Sequence, residues 1–258
     1  ALGKDRPAYA HIPLILAPDR SKLSKRHGAT SLSDYKSRGY LPEAMTNFMA
    51  LLGWSPQGVG ENEELFSLEE LTRLFDLDKV GKSGAIFNLE KLDWVNQAYV
   101  RKMSPEAFLS HSEAFIPEDI KAIPGSEKIL EKLITILKER IVKFADIGEL
   151  FTSGDLGYFF QAPLLDKHKI FWKKDPEGTL FKKELPHLVS LLEAISEEDF
   201  TKDHLETRVL AYLENKDRGS ILWPVRYLLT GKEKSPDPFT VMSILGKEAS
   251  LVRLQTIL

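Results

Sequence analysis

Three basic side chains crowd into positions 22–26, where Lys22, Lys25 and Arg26 surround Ser24. Lysine ammonium groups are compact cations with three hydrogen-bond donors each, and they stay charged at neutral pH. Two of them on one loop suit a polyphosphate, because a fixed cation stabilises the charge that grows on leaving oxygens during displacement. The alternative is an exposed basic loop without chemistry, which is the commoner meaning of a bare K-x-S-K-R sequence. Residues 22–26 are called the basic segment below.

The residues on either side of the basic segment predict a strand before it and a short helical turn after it. Residues 11–17 form an apolar run that is typical of a strand, and Pro18 and Asp19 interrupt it. Ser33 is suited to cap a turn that ends at Gly39, because a serine hydroxyl accepts a hydrogen bond from a free helix N–H group. The basic segment is therefore expected to be a loop.

Helical patterns dominate the chain, and strand signals nearly vanish after residue 104. Ser67 and Glu70 form a capping-box pattern, and Asn88 and Ser104 each precede a helical run. The apolar spacing predicts helices over residues 42–53, 68–75, 88–103, 127–144, 180–195, 201–213, 220–230, 238–246 and 247–258. The fold is therefore expected to be mainly α, with an all-helical second half.

Composition excludes several kinds of site. The chain has 258 residues, of which 43% are hydrophobic, so it can bury one large core or two to three small ones. Because it has no cysteine, a disulfide, a thiolate zinc site and a cysteine nucleophile are ruled out, and its six histidines are scattered. No stretch of about 18 apolar residues is present, so no membrane span is expected.

Charge is unevenly distributed, although the formal net charge is only −3. Residues 1–40 contain eight Lys or Arg against three Asp or Glu, residues 61–78 contain seven acidic residues against Arg73 alone, and residues 167–183 contain six lysines. A weakly acidic chain is not a general nucleic-acid binder, but segregated charge can present a basic track to RNA. Ordinary solvated helix faces give the same pattern, so charge alone does not decide between the two.

The basic segment belongs to a longer pattern. Its residues are Lys22 to Ala29, Thr30-Ser31-Leu32, Tyr35, Gly39 to Ala44, Asn47-Phe48 and Leu51 to Ser55. Together they resemble the K-M-S-K-S loop signature of bacterial glutamyl-tRNA synthetases, which are class I aminoacyl-tRNA synthetases. Leu23 replaces the methionine of this signature, and Arg26 replaces its final serine. The resemblance implies that residues 1–55 end a catalytic α/β domain and that residues 56–115 form a helical region contacting the tRNA stem.

The second half carries matches of its own, which are Trp223-Pro224-Val225-Arg226, Leu229-Thr230-Gly231, Phe239, Leu245-Gly246-Lys247-Glu248 and Arg253-Leu254. They resemble the helical anticodon-binding region of the same family. The resemblance implies that residues 116–258 form this region, as two subdomains split near 195–200. Glutaminyl enzymes use β-barrels for this task, and the short paralogue that glutamylates a tRNA base lacks this half, so both are disfavoured.

The resemblance also implies roles for single residues. An enzyme of this family joins glutamate to the α-phosphate of ATP and then transfers the glutamyl group to the terminal ribose of tRNA-Glu. Lys25 and Lys22 would contact the ATP phosphates and steady the departing pyrophosphate, and Leu23, Ser24 and Arg26 would complete the ATP-binding loop. Mg²⁺ would accompany ATP through a domain that is missing here, and neither zinc nor an organic cofactor is expected.

Three basic residues are further predictions for tRNA contact. In this family an arginine on a helix of the anticodon region can discriminate the last anticodon base, and Arg140 is placed near that position. Arg226 and Lys232 are tRNA-contact candidates because phosphates attract suitably placed cations. For Arg140, a surface ion pair with nearby acidic residues is an equally good interpretation.

The family's first signature, a histidine-glycine-histidine motif, is missing, and so is the pocket for glutamate and adenine. We therefore expect that this chain alone does not form the adenylate, although its parent is a glutamate–tRNA ligase. The start at Ala1, without methionine or signal peptide, suggests a fragment cut from a longer chain. The resemblance implies a monomer, and the lack of cysteine permits the reducing cytoplasm in which the enzyme is expected. Two alternatives stay open. One is a non-catalytic tRNA-binding module, natural or truncated for structural work, and the other is a helical scaffold unrelated to RNA.

Overall fold

The computed structural model describes residues 3, 5, 7–24, 26, 31–56 and 64–257. This part of the chain contains thirteen α-helices, which are α1 (Leu32–Ser37), α2 (Pro42–Leu51), α3 (Leu68–Leu74), α4 (Leu89–Lys102), α5 (Pro105–Ser112), α6 (Glu118–Lys121), α7 (Ser126–Arg140), α8 (Asp146–Thr152), α9 (Thr179–Glu193), α10 (Lys202–Tyr212), α11 (Arg218–Thr230), α12 (Pro238–Leu245) and α13 (Lys247–Gln255). Extended structure in the described residues is limited to isolated bridges. The expectation of a mainly α fold is confirmed.

The chain divides into two compact units. Unit 1 comprises residues 1–115 and 136–147, and unit 2 comprises residues 116–135 and 148–258. Each unit has buried apolar residues of its own. The three-part division expected from the sequence, with boundaries after residues 55 and 115 and a split near 195–200, stays a prediction.

Side-chain caps start three helices where the sequence predicts them. The Ser67 hydroxyl accepts a hydrogen bond from the Glu70 N–H group at 3.2 Å, and the Glu70 carboxylate accepts one from the Ser67 N–H group at 2.7 Å. Asn88 caps α4 by accepting the Lys91 N–H group at 3.1 Å, and Ser104 caps α5. These caps satisfy N–H groups that have no partner within a helix, so they fix the first residue of each helix.

Two predictions near the basic segment were wrong. The cap of α1 is Ser31 rather than Ser33, because Asp34 completes a capping box with Ser31. The strand predicted over residues 11–17 is reduced to bridges at Leu16. Prolines inside and after this run cannot donate to a ladder, so no longer pairing forms.

The end of α7 also differs from the prediction, because the helix stops at Arg140 and not at residue 144. The Asp146 carboxylate accepts the N–H groups of Val142 and Lys143 at 2.9 and 3.0 Å. These two N–H groups therefore bond to a side chain and do not continue the hydrogen bonding of the helix. The Lys143 ammonium group pairs with the same carboxylate at 2.8 Å, which makes Asp146 the centre of the turn that ends the helix.

An aromatic cluster forms the core of unit 1. Its buried members are Tyr35, Tyr40, Met45, Phe48, Phe87 and Leu92. The rings of Tyr35 and Tyr40 meet edge to face at 5.3 Å between centroids, and the Tyr40 hydroxyl donates to the Asp93 carboxylate. Burial and then this hydrogen bond raise the pKa of Tyr40 far above its usual range, so the hydroxyl remains a donor. Leu23 of the basic segment packs against this cluster.

Asn96 joins two backbone segments of unit 1 that are distant in sequence. Its side chain is fully buried, its Oδ1 atom accepts the Leu41 N–H group at 2.9 Å, and its Nδ2 group donates to the Val142 carbonyl. A buried amide that satisfies two backbone groups avoids the penalty of leaving them without hydrogen bonds. The segments 38–41 and 141–145 that meet here are called the seam.

Gly39 allows the two segments of the seam to approach closely. Its φ angle is +78°, and a Cβ atom there would lie 2.6 Å from the Phe144 Cβ atom and 2.8 Å from the Phe144 nitrogen. The Gly39 carbonyl accepts the Phe144 N–H group at 3.1 Å. Only glycine combines this left-handed backbone with so short a distance.

Unit 2 is built around α11, which contacts α9, α12 and α13. Pro224 lies inside α11, since the helix begins at Arg218. Arg253 of α13 is buried, and its guanidinium group donates to the Leu229 carbonyl at 2.6 Å and to the Gln161 carbonyl at 3.3 Å. A buried arginine thus ties α13 to α11 by satisfying carbonyl groups, which offsets part of its own desolvation.

An ion pair connects α9 with the turn that precedes α11. The Lys216 ammonium group and the Tyr212 hydroxyl both donate to the Glu184 carboxylate, with Lys216 at 2.6 Å. The hydrogen bond from Lys216 and then that from Tyr212 lower the pKa of Glu184. The same contacts, led by the bond to Glu184, raise the pKa of Lys216. The pair is therefore ionised throughout the neutral range.

We predict that Gly39→Ala destabilises the protein far more than Gly125→Ala. Both residues have a left-handed backbone, but a Cβ atom at Gly125 would meet nothing within 4 Å. The control should lose about 1–2 kcal/mol from backbone strain alone. Overpacking against Phe144 should add about 1–3 kcal/mol at Gly39. Urea unfolding of both variants measures the difference, and equal losses would contradict the role of close approach at the seam.

Glu184 should make stability depend on pH. Its pKa is lower in the folded protein than in the unfolded chain, so ionised Glu184 stabilises the fold above the ordinary pKa of a glutamate. As pH falls through the lowered pKa, that contribution disappears. The urea midpoint of Glu184→Gln should therefore lie below that of the wild type at pH 7, and the gap should close in acid. Glu193→Gln removes the same charge from an exposed position on the same helix and is the control, and Glu184→Gln should lose more stability at pH 7 than this variant does.

Candidate functional site

A tight turn places Lys22 at the start of the basic segment. The Ala17 N–H group donates to the Ser21 carbonyl, and the Arg20 N–H group donates to the Ala17 carbonyl, both at 2.8 Å. The Asp19 carboxylate accepts the N–H group and the hydroxyl of Ser21 at 2.9 and 2.7 Å. Arg20 has a φ angle of +64°, which is uncommon for a residue with a side chain. These bonds fix the backbone from which Lys22 extends.

The base of the basic segment is tied to the core of unit 1 on two sides. Leu16 bridges Lys22 on one side. On its other side it donates to the Ala85 carbonyl at 2.9 Å and accepts the Phe87 N–H group at 2.8 Å. The Leu23 side chain packs into the aromatic cluster beside these contacts. The backbone at positions 22 and 23 is therefore anchored while the side chain of Lys22 is exposed.

The structure brings four predicted residues of the basic segment together in one stretch of unit 1. Lys22 and Arg26 are exposed, and Leu23 and Ser24 are half-buried. Lys25 lies outside the described residues. Lys22 forms no ion pair with any residue that the structure describes. An exposed lysine on an anchored backbone can meet an anionic ligand without first breaking an internal ion pair.

Arg140 is the last residue of α7, and its side chain is exposed. Within the described part of the chain it forms no ion pair, so its interpretation as an ion-pair partner on the surface finds no support. A guanidinium group at a helix C-terminus is favoured by the partial negative charge of the last carbonyl groups. The five N–H donors of the Arg140 guanidinium group thus form no ion pair within the described structure.

Arg226 of unit 2 is held in one orientation. Its Nη2 group donates to the Glu233 carbonyl at 2.8 Å, and its guanidinium carbon lies 4.9 Å from the centroid of the Trp223 ring. Lys232 follows α11, and its N–H group donates to the Thr230 hydroxyl at 3.1 Å. Both cations therefore sit at or just beyond the C-terminal part of α11. Stacking on an aromatic face is a geometry that arginine favours.

A second tryptophan next to α11 was not predicted. Trp172 packs against Trp223 with 5.0 Å between ring centroids, and the Trp223 indole donates to the Lys169 carbonyl at 3.3 Å. The Lys169 ammonium group pairs with the Glu233 carboxylate at 2.7 Å, and this hydrogen bond raises the pKa of Lys169. The lysines of residues 167–183 were visible in the sequence, but their contact with α11 depends on the fold.

Among the described residues, no group of three or more His, Cys, Asp or Glu side chains is arranged to hold a metal ion. No helix in this part combines the length and the apolar composition that a bilayer crossing requires. No described residue is therefore assigned to a metal ion.

Two family models match the chain in succession. Residues 1–94 match the model described as tRNA synthetases class I (E and Q), catalytic domain. Residues 100–258 match the model described as anticodon binding domain. The basic segment falls within the first match, and Arg140, Arg226 and Lys232 fall within the second.

Curated proteins and solved structures resemble nearly the whole chain. The glutamate–tRNA ligase of Dehalococcoides mccartyi is 39% identical over 262 residues, which cover 98% of this chain and 51% of the relative. That of Chlorobium chlorochromatii is 34% identical, with 98% and 50% covered. A crystal structure of a glutamate–tRNA ligase from Elizabethkingia meningosepticum matches with a TM-score of 0.76 at 33% identity, over 98% of this chain and 51% of that one. The chain thus spans about half the length of these relatives.

Proposed function

This chain belongs to the anticodon binding domain family through residues 100–258, and from that premise we propose that it is the tRNA-reading part of a glutamate–tRNA ligase. The observation that carries the proposal is the similarity to glutamate–tRNA ligases along 98% of the chain. The partner is then tRNA-Glu, and ATP and L-glutamate are the other substrates of the longer ligase. The chain itself contributes a loop for the ATP phosphates and a helical surface for the tRNA.

The basic segment serves the ATP phosphates in this proposal. Lys25 and Lys22 contact the phosphates and stabilise the charge on the departing pyrophosphate, while Leu23, Ser24 and Arg26 complete the loop. The support is the anchored backbone and the exposed side chain of Lys22. Cations placed where charge develops stabilise the transition state more than the bound substrate, so they raise the rate more than the affinity.

The proposed reaction proceeds in two steps. A carboxylate oxygen of glutamate attacks the α-phosphorus of ATP and pyrophosphate leaves, after which the ribose hydroxyl of the tRNA displaces AMP from the glutamyl group. Mg²⁺ would neutralise phosphate charge during the first step. Its ligands are proposed to belong to the part of the longer ligase outside this chain, and the described residues contain no group of three or more candidate ligands. Zinc and organic cofactors have no part in the proposal.

Three basic residues are proposed to contact the tRNA. Arg140 is assigned to the last anticodon base, because a guanidinium group can make two parallel hydrogen bonds to a base edge. Arg226 is already ordered by Trp223 and the Glu233 carbonyl, so less side-chain entropy is lost when it binds. Lys232 is assigned to a phosphate.

The remaining expectations also rest on the family resemblance. We propose that residues 56–115 contact the tRNA stem and that residues 116–258 form two subdomains that divide near 195–200. The longer ligase is proposed to be a monomer in the cytoplasm.

A non-catalytic tRNA-binding module is the second candidate function. It is favoured by the match to an anticodon binding domain, which covers residues 100–258 and so more of the chain than the catalytic-domain match over residues 1–94. The histidine-glycine-histidine signature of the ligase family does not occur in the sequence given. The gene upstream of Ala1 distinguishes the two functions. Encoded residues with that signature would make the chain part of a ligase, whereas a start codon directly before it would make it a separate module.

We predict that the chain binds tRNA-Glu without forming the adenylate. Filter binding should give a dissociation constant that rises with salt, and ATP–pyrophosphate exchange should show no turnover. Arg226→Ala should weaken binding, by about 1–3 kcal/mol if the guanidinium group contacts a base. Arg208→Ala, an exposed arginine on α10, is the charge-matched control. A wild-type chain that fails to bind tRNA-Glu at moderate salt would refute the proposed function.

In the longer ligase, Lys25→Ala should reduce ATP–pyrophosphate exchange by about 10²–10³-fold while tRNA affinity is kept, because one fixed cation is lost from the transition state. Lys36→Ala on α1 removes the same charge from another exposed position and should leave exchange nearly unchanged. Comparable losses of exchange activity and tRNA affinity for Lys25→Ala would argue against a phosphate role.

A further inference from the structure

Residues 167–174 form a basic loop on unit 2, and we use that name for them below. They contain four lysines and a histidine and no acidic residue. All four lysines, Lys167, Lys169, Lys173 and Lys174, are exposed. A stretch this rich in positive charge is often only a solvated surface. Whether it can bind an anion depends on its conformation and on the charges of its neighbours.

The backbone of the basic loop is fixed near its middle and at its C-terminal end. Ile170 is only 5% exposed and anchors the first half in the core of unit 2. At the other end the Asp175 N–H group donates to the Trp172 carbonyl at 2.8 Å. The Asp175 carboxylate accepts the N–H groups of Thr179 and Leu180, each at 2.9 Å, and so joins the loop to the start of α9. Lys173 and Lys174 therefore extend from an ordered backbone.

The basic loop lies directly against the part of α11 that carries Arg226. The Trp172 ring packs on the Trp223 ring, whose indole N–H group donates to the Lys169 carbonyl. Arg226 lies over the Trp223 ring, and the Lys173 ammonium group lies 5.3 Å from the centroid of the Trp172 ring. Two cations thus border one pair of packed indole rings.

Most of the positive charge of the loop is not neutralised by its neighbours. Lys169 pairs with Glu233, but Lys167, Lys173 and Lys174 form no ion pair within the described residues. The hydrogen bond from the Ser220 hydroxyl and, to a smaller extent, the charge of Lys174 lower the pKa of Asp217. Its carboxylate, however, is bonded to the Gly219 N–H group and the Ser220 hydroxyl at the start of α11.

We propose that the basic loop is a second RNA contact, which binds backbone phosphates next to the nucleotides that Arg226 reaches. This inference rests on the proposed function, because it takes tRNA as the partner. Lysine ammonium groups bind phosphates as point charges and carry no base preference, whereas Arg226 can read a base edge. The packed indole rings hold the two kinds of contact at a constant separation. The loop therefore supplies affinity that does not depend on the anticodon sequence.

The test is the salt dependence of tRNA binding by the Lys173→Ala/Lys174→Ala variant of the chain. Loss of two phosphate contacts should reduce the slope of log K against log salt by about 1.5. Binding should weaken equally for tRNA-Glu and for the same tRNA with an altered anticodon, so their affinity ratio should not change. The Lys173→Arg/Lys174→Arg variant keeps the charge and should restore the wild-type slope.

The matched control is Lys128→Ala/Arg208→Ala, which removes two exposed cations elsewhere on unit 2 and should leave the slope unchanged. Unfolding midpoints should agree among all variants, which shows that the loop variant is folded. If the wild-type chain binds tRNA-Glu and the loop variant keeps its slope, the inference fails while the proposed function stands. If the wild-type chain does not bind tRNA-Glu, both fail.

Discussion

The buried amide of Asn96 is the interaction on which unit 1 depends. It satisfies the Leu41 N–H group and the Val142 carbonyl, which belong to segments far apart in the chain. Bringing these two segments together costs conformational entropy, because about a hundred residues separate them. Apolar contacts alone do not fix how the two segments align. Two directed hydrogen bonds from one rigid amide do select it, because any shift of the seam would leave buried backbone groups without partners. Gly39 is also required, because a Cβ atom at this position would collide with Phe144 and hold the two segments apart.

The position of the basic segment follows from this arrangement. The seam fixes the start of α2, and the aromatic cluster formed by α1, α2 and α4 provides the surface against which Leu23 packs. Leu16 holds Lys22 by a bridge and residues 85–87 by two hydrogen bonds, so the base of the segment is restrained from both sides. A cation that must meet a charge developing only in the transition state needs such a base, because reorganisation at that moment would cost part of the stabilisation.

Local chemistry made part of this fold predictable from the sequence. The capping box of Ser67 and Glu70 needs only residues within one turn, and it was predicted correctly. Ser31 carries the same signal, since Asp34 lies three positions later, although the predicted cap is Ser33. Non-local effects could not be read in this way. The bridges of Leu16 and the packing of Trp172 on Trp223 depend on partners that only the folded chain brings together.

The use of acidic residues explains how a chain with a net charge of −3 can present a basic surface. Asp175 and Asp217 lie next to the basic loop in sequence or in space, yet both carboxylates face helix N-termini and bind N–H groups there. At physiological ionic strength a charge is screened within about 8 Å, so an approaching phosphate responds to the nearest groups and not to the net charge. Capping aspartates whose charge is balanced by a helix N-terminus weaken the loop's field less than free carboxylates would. The same residues that start the helices therefore leave the lysines of the basic loop available to an anion.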